Sequence, residues 1–352
     1  MRKKDLSVDH ILRLTDDTGI FQHSLYATPD LSKGYTTDDN SRALIAISML
    51  YETYKDNRLL GLLYKYMSFL LYAQNDKGMF KNFMDYNRKF IEETGSEDCF
   101  GRCLWSLGYI LNISLPKGLK NSAIHLLKKA LPNVYKLSYV RSKAYTLIGL
   151  CYLYNSKISS FNVNDIVNDI KDMINLLSND LLEQYNKNAD EKWKWFEDTI
   201  TYSNALIPWA LIKSYSVIKK KEILDAAIES MNFLERIYFK NDYFKPVGCK
   251  GWFKKNKEPA EFDEQPIEAC ETALMYVEAY HVLKERKYME KAIKCDKWYL
   301  GENSKKISLI DSETGGCYDG ITNEGVNLNE GSESIISRII ANMAVNNDYL
   351  IF

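Results

Sequence analysis

Hydrophobic residues recur at helical spacing along most of the chain, in runs that polar or Gly-containing stretches separate. After Thr37, for example, Leu44, Ile47, Ser48 and Tyr51 fall at helical spacing. The runs form a unit of helix, irregular stretch and second helix, which repeats about six times. The predicted pairs are His10–Leu14 with Ser41–Tyr54, Leu59–Tyr72 with Cys99–Ile110, Lys120–Lys129 with Arg141–Tyr154, Val163–Gln184 with Asp198–Tyr215, Glu222–Tyr238 with Gln265–Leu283, and Tyr288–Tyr299 with Ser332–Val345.

The two helices of a pair differ in character. The first is mixed and charged, as an outer helix would be, whereas the second is apolar and carries small residues such as Ala43, Gly108 and Ala273. Six such pairs bury a continuous core only if they stack or close into a ring. Strand signals such as Met79–Phe83 are confined to loops. The sequence therefore predicts an all-α fold, an (α/α)6 toroid with long loops and short β-hairpins at one end, in which residues 1–352 form one domain.

Acidic residues stand at the start of five of the second helices. They are Asp38 and Asp39, Glu97 and Asp98, Glu197 and Asp198, Asp263 and Glu264, and Glu330 and Glu333. Each cluster has a structural interpretation, because carboxylates cap helix N-termini and interact with the helix dipole. Parallel inner helices would nevertheless bring all five clusters to one mouth. Aromatic, amide and Arg side chains accompany them, and that mixture is typical of sugar sites.

Glycoside hydrolysis needs one protonated carboxyl group and one ionised carboxylate. An apolar neighbourhood raises the pKa of a carboxyl group, so Asp198 and Glu197, beside Trp195, are the favoured acid candidates. Asp98 or Glu264 is the favoured base, and Asp39 and Glu333 are further catalytic candidates. The candidate substrate-binding residues are Arg42, Arg102, Trp195, Tyr202, Trp252, Gln265, Glu268, Tyr318 and Glu333. Sequence spacing leaves open which carboxyl group is acid and which is base.

Composition narrows the range of functions. With 46 Lys plus Arg and 47 Asp plus Glu, the chain has no basic footprint for nucleic acid or an anionic membrane. No CxxC pair occurs and only four His are present, so neither a metal nor a cofactor is predicted. The basic segment Met1–Ser7 has no apolar stretch after it, so we predict no secretion signal. Together with seven cysteines interpreted as reduced thiols, this favours the cytoplasm.

With the six pairs in place, the chain resembles the six-hairpin glycosidase-like superfamily, the (α/α)6 toroids of many glycoside hydrolases, some phosphorylases and sugar epimerases. Four segments, at residues 37–43, 95–102, 262–269 and 329–334, are similar to those of toroidal proteins found with, or fused to, glycosyltransferases. The resemblance implies inversion of the anomeric centre as the default, with an oligosaccharide or glycoside as partner.

The leading hypothesis is a glycoside hydrolase that cleaves an oligosaccharide by carboxylate acid/base chemistry. A phosphorylase in the same ring remains an alternative, and so does a non-catalytic helical-repeat scaffold that binds a protein along an open groove. A sugar epimerase is disfavoured, because such enzymes rely on His and the four His are expected outside the mouth. The sugar, the linkage and the oligomeric state stay open.

Overall fold

A computed structural model describes residues 6–156 and 163–350 of the chain. Its described part contains twelve α-helices and three two-stranded ribbons. The helices are α1 (Asp9–Leu14), α2 (Thr37–Tyr54), α3 (Asn57–Ala73), α4 (Glu97–Ile110), α5 (Lys117–Ala130), α6 (Val140–Asn155), α7 (Val163–Asn188), α8 (Leu206–Ile218), α9 (Lys221–Tyr238), α10 (Pro266–Leu283), α11 (Arg286–Trp298) and α12 (Ser332–Asn346). The strands are β1 (Ser24–Leu25), β2 (Thr28–Pro29), β3 (Tyr35–Thr36), β4 (Phe83–Met84), β5 (Thr199–Ile200) and β6 (Phe253–Lys254).

The even-numbered helices form a closed inner ring. Each packs against the next, from α2 through α4, α6, α8 and α10 to α12, and α12 packs against α2. The outer helices lie against them, as α3 does on α2 and α11 does on α10 and α12. Burial follows the same division, since α10 is buried along most of its length whereas α5 and α9 bury one face each. The predicted (α/α)6 toroid is therefore confirmed.

Glycines allow two neighbouring inner helices to approach closely. A Cβ atom on Gly108 of α4 would overlap the carbonyl oxygen of Gly149 of α6, and one on Gly149 would overlap the backbone of Leu104. A Cβ atom on Gly101, the residue before Arg102, would likewise overlap Tyr145 and the Ser142 carbonyl oxygen. The backbones of α4 and α6 thus touch over two turns, which places the side chains at their N-terminal ends close together.

The β-ribbons account for the differences between the predicted and the observed bounds of two elements. Helix α8 begins at Leu206 rather than Asp198, because Thr199–Ile200 pair with Phe253–Lys254 as strands β5 and β6. Strand β4 covers Phe83–Met84 and pairs with Tyr35–Thr36, whereas Phe80 makes only an isolated bridge. Strands β3 and β5 precede inner helices α2 and α8 respectively. Loops and ribbons therefore meet at the end of the ring where the inner helices begin.

None of the described helices is long and apolar enough to cross a bilayer. Residues 1–5, which include most of the basic N-terminal segment, lie outside the described part. All seven cysteines are unpaired, and only Cys249 is not buried.

Candidate active site

A pocket of about 340 Å³ opens at the end of the ring where the inner helices begin. Its lining comes from the first two turns of α2, α4 and α12, from the residue before α10, and from three further segments, at residues 22–23, 82–83 and 319. The polar lining residues are Gln22, His23, Thr36, Asp38, Asp39, Arg42, Asn82, Arg102, Gln265, Asp319, Glu333 and Ser334. Carboxyl groups distant in the chain are therefore neighbours here, as the parallel arrangement of inner helices predicts.

Helix α2 begins with a reciprocal cap that fixes Asp39. The Asp39 backbone N–H donates to Thr36 Oγ1 at 3.1 Å, and the Thr36 hydroxyl donates to Asp39 Oδ2 at 2.5 Å. Arg42 Nη2 donates to Asp39 Oδ1 at 2.8 Å. Asp39 is only 3% exposed, and its burial raises the pKa of the carboxyl group although Arg42 opposes the shift.

Two guanidinium groups connect α2 to its neighbours in the ring. Arg42 Nη1 lies 2.8 Å from Glu333 Oε2 of α12, whose side chain remains 42% exposed. Arg102 Nη1 of α4 lies 3.0 Å from Asp38 Oδ2. One Arg thus holds two carboxyl groups of different exposure, Asp39 and Glu333, and both residues belong to the pocket lining.

A buried cluster that sequence reasoning missed lies behind the pocket. The Tyr145 hydroxyl donates to Glu271 Oε1 at 2.5 Å, and the Arg102 guanidinium lies 4.7 Å from the centre of the Tyr145 ring. Burial raises the pKa of Glu271 to about 7. The available signal was the spacing of Glu268 and Glu271, because residues three apart on a helix share a face.

Glu268 holds the loop before α8 in place. Its carboxyl group accepts hydrogen bonds from the backbone N–H of Ser203 at 2.5 Å and from the Asn204 side chain at 3.1 Å. Burial raises the pKa of Glu268, and these hydrogen bonds oppose the shift. The carboxyl group predicted to bind substrate is thus engaged with this loop and lies outside the pocket lining.

Of the predicted site residues, Asp39, Arg42, Arg102, Gln265 and Glu333 line the pocket. Asp98 and Tyr202 are not part of the lining but contact each other, since the Tyr202 hydroxyl donates to Asp98 Oδ2 at 2.7 Å. Burial raises the pKa of Tyr202 to about 12. These residues occupy the predicted end of the ring, and their catalytic or binding roles remain predictions.

Two predicted residues point into the protein instead of the pocket. Glu264 is fully buried and accepts hydrogen bonds from Trp298 Nε1 at 2.8 Å and from the Ser304 hydroxyl. Its carboxyl group therefore joins its loop to the end of α11. Trp195 is fully buried against Phe196, so neither ring face is open to a sugar. Neither residue belongs to the pocket lining, so their predicted roles as base and as aromatic platform gain no support from this pocket.

Asp198 is exposed, which removes the reason for choosing it as the acid. The neighbouring Trp193 and Trp195 enter the core, whereas Asp198 lies just before β5 and faces solvent. Its backbone carbonyl accepts a hydrogen bond from Lys255 N–H at 2.8 Å. Sequence proximity to aromatic residues did not place the carboxyl group among them, because the chain turns into a β-ribbon at this point.

Trp252 and Tyr318 also lie outside the pocket lining. Trp252 is half-buried beside β6 with φ of 58°. The Tyr318 hydroxyl donates to Asp311 Oδ2 at 3.3 Å. Asp319, the next residue, lines the pocket instead and accepts hydrogen bonds from Gly331 N–H at 2.8 Å and the Ser334 hydroxyl at 2.5 Å. Burial raises the pKa of Asp319.

The four His are not all outside the mouth, and that expectation was wrong for His23. His23 is an exposed residue of the pocket lining. His10 is buried and bonded to the Glu330 carbonyl at 2.7 Å, while His281 contacts Asp348 after the end of α12. The described residues contain no group of three or more His, Cys, Asp or Glu side chains that could hold a metal ion.

Several solved structures share this architecture from end to end. A cellobiose 2-epimerase from Bacillus thermoamylovorans B4167 matches with a TM-score of 0.74 at 14% identity, over 97% of this chain and 96% of that chain. A sugar epimerase from a ruminal bacterium matches with a TM-score of 0.73 at 16% identity, over 98% and 97%. The chain has the six-hairpin glycosidase-like fold.

Glycosidic-bond-cleaving enzymes share the six-hairpin fold as well. A GH76 α-mannanase from Bacteroides thetaiotaomicron matches with a TM-score of 0.62 at 12% identity, over 90% of this chain and 87% of that chain. No protein-family model and no curated protein matches the chain. At these identities the likeness concerns the six-hairpin fold, and the chemistry must be argued from the pocket.

Proposed function

We propose that this protein is a carbohydrate-active enzyme that cleaves a glycosidic bond by carboxylate acid/base chemistry, with inversion as the default outcome. The observation that carries the proposal is the pair of carboxyl groups on Arg42. Asp39 is buried with a raised pKa, which suits a general acid, whereas the Glu333 side chain is 42% exposed and ion-paired, which suits a general base. Glycoside hydrolysis requires such a pair in unequal environments.

The rest of the lining fits the same substrate class. Asn82, Gln265 and Asp319 supply amide and carboxyl groups for hydroxyls, and Phe83 supplies an apolar surface for a C–H face of the sugar. The ring is closed, which disfavours the alternative of a scaffold that binds a protein along an open groove. We also propose that residues 1–352 form one domain and that its unpaired cysteines belong to a cytoplasmic protein.

The test is a product screen with matched carboxyl-to-amide variants. The purified protein is incubated with neutral oligosaccharides of varied linkage, with and without phosphate, and products and their anomeric form are followed by NMR. We expect cleavage, with kcat about 10²- to 10⁴-fold lower in Asp39→Asn and Glu333→Gln. The exposed Asp198→Asn is the control and keeps full activity.

Thermal unfolding of each variant separates lost chemistry from lost folding. Full activity in both Asp39→Asn and Glu333→Gln would contradict the assignment of the pair. Cleavage that depends on phosphate would indicate phosphorolysis, and a ligand-induced rise in Tm without product would indicate a binding protein.

Epimerisation of a free sugar is the second candidate, and His23 is the observation that favours it. His is a common acid/base residue near neutral pH, and this one lines the pocket. Two structural neighbours are named as epimerases, which favours the same candidate. A reducing disaccharide that gains an epimer without cleavage, and loses that activity in His23→Gln, would favour this candidate over hydrolysis.

A further inference from the structure

Four exposed aromatic side chains belong to segments at the end of the ring where the inner helices begin. They are Tyr26 at 61% exposure, Phe83 at 43%, Tyr139 at 69% and Tyr202 at 40%. Single exposed apolar residues are normal on a protein surface, so the number alone means little. Their anchoring is what matters, because each is fixed to the start of an inner helix. We call these four residues the aromatic arc.

One half of the arc lies beside α12 and α2. The Tyr26 carbonyl accepts a hydrogen bond from Glu330 N–H at 3.0 Å, and its N–H donates to Asn329 Oδ1 at 2.9 Å, in the loop that leads into α12. Phe83 pairs in register with Thr36, the residue before α2, and itself lines the pocket. Tyr26 and Phe83 therefore stand over two neighbouring inner helices.

The other half lies beside α4 and α6. The Tyr202 hydroxyl is bonded to Asp98 in the first turn of α4, and one ring face is covered by the Arg141 guanidinium at 4.5 Å. Tyr139 directly precedes α6, and its N–H donates to Glu97 Oε2 of α4 at 3.1 Å. The Tyr202 ring is thus held in a fixed orientation while 40% of the residue stays open.

The arc follows the order of the ring from α12 through α2 and α4 to α6. Packed helices lie about 8–10 Å apart, so four residues anchored at four successive inner helices define a path of several such spacings. Aromatic rings bind the C–H faces of sugars, and their phenol hydroxyls supply hydrogen bonds at the edge. A single sugar in the pocket does not need a path of this length, whereas a chain of sugars does.

The charges of the pocket indicate which chain fits. Four carboxyl groups, those of Asp38, Asp39, Asp319 and Glu333, face two guanidinium groups. Arg42 is already paired with Asp39 and Glu333, and Arg102 with Asp38. A phosphorylated or uronic-acid sugar would bring a negative charge next to these carboxyl groups, which is unfavourable. A neutral sugar brings no such penalty.

We propose that the substrate is a neutral oligosaccharide whose end enters the pocket and whose following units lie on the aromatic arc. The proposal rests on the proposed function and adds the size and charge of the substrate. It predicts that affinity and kcat/KM rise with chain length until the arc is covered, and that sulfated, phosphorylated or uronate-containing chains are poor substrates.

The experiment measures kcat/KM against chain length for a neutral oligosaccharide series from two to six units. In Tyr26→Ala and Tyr139→Ala we expect about a three- to tenfold loss for the longer chains and no change for the disaccharide, because only the longer chains reach these residues. Tyr64→Ala is the matched control, since Tyr64 is 48% exposed on the outer helix α3. We expect its kcat/KM to equal that of the native protein at every chain length.

A binding measurement separates this inference from the proposed function. Calorimetric titration of Asp39→Asn with the same series reports affinity without turnover. Length-dependent binding that Tyr26→Ala and Tyr139→Ala abolish supports the arc even if no bond is cleaved. Equal affinity and kcat/KM for all lengths overturns it, and so does a change of oligomeric state in these variants without any change in sugar binding.

Discussion

Glu271 is a single buried carboxyl group through which the stability of the ring depends on pH. Burial raises its pKa from the ordinary 4.5 to about 7, and it accepts a hydrogen bond from Tyr145. Its Oε2 atom is buried and has no hydrogen-bond partner among the described residues. The ionised form of a carboxyl group in this setting destabilises the folded state. Carboxyl groups with such perturbed pKa values are typical of functional sites.

The first prediction concerns the stability of Glu271→Gln. Because the folded-state pKa is above the unfolded value, the protonated residue contributes stability that is fully present below about pH 4.5 and is lost as pH rises through about 7. Gln cannot ionise, so the variant avoids that loss, up to about 3 kcal/mol. We expect its Tm to exceed that of the native protein at pH 8 and to be similar at pH 4.5.

Thermal unfolding at both pH values measures this difference. Glu93→Gln removes an exposed carboxyl group and serves as the matched control, with no comparable change. A Glu271→Gln variant that is equally or less stable at pH 8 would show that the native residue is ionised there without penalty.

At the scale of elements, the contact between α4 and α6 depends on the absence of side chains. Gly108 and Gly149 face each other so closely that a Cβ atom on Gly108 would overlap the Gly149 carbonyl oxygen. Tight packing transmits such an overlap into backbone shifts, because protein interiors contain few voids. The register of α4 against α6 also sets the distance of Arg102 from Tyr145.

The second prediction is therefore a loss of about 1–3 kcal/mol in the free energy of unfolding for Gly108→Ala. Gly61→Ala is the matched control, since Gly61 lies in α3 and a Cβ atom there would have no neighbour within 4 Å. That control should be neutral or more stable by up to about 1 kcal/mol, because Ala favours a helix over Gly. Urea unfolding followed by circular dichroism measures both. Equal stability of the two variants would mean that α4 and α6 can separate without cost.

Elements also show how far local patterns predict structure. Apolar periodicity predicted α9 and α12 to within a residue or so, because each buries a continuous stripe. It failed at the start of α8, where residues 199–204 pair with β6 and with Arg141 rather than continue a helix. Those partners are about 50 residues away on one side and 60 on the other, beyond the reach of any local signal.

At the scale of the whole molecule, the contact of α12 with α2 closes the ring. The ion pair of Arg42 and Glu333 joins the two helices at the mouth. The third prediction is a radius of gyration of about 20 Å for a 352-residue monomer in solution. Small-angle X-ray scattering, with the mass checked by light scattering, measures it. A much larger radius with an elongated distance distribution would indicate an open solenoid.

The amino-acid sequence was enough to predict the number of helical pairs, which helix of each pair is inner, and the end of the ring that carries polar chemistry. These follow from periodicity and from acidic residues at helix starts, both of which are local properties. Asp39, Arg42 and Glu333 were accessible to this reasoning because they occupy the first turns of inner helices.

Packing of the folded chain sets which carboxyl groups meet. Asp98, Asp198 and Glu264 all stand at predicted starts of inner helices, yet one is bonded to Tyr202, one faces solvent and one is buried against Trp298. Whether a side chain at a helix start enters the pocket depends on the rotation of that helix and on the path of the preceding loop. Both are set by packing against residues far away in the sequence, which is why the position of His23 in the pocket and the raised pKa of Glu271 became apparent only in the fold.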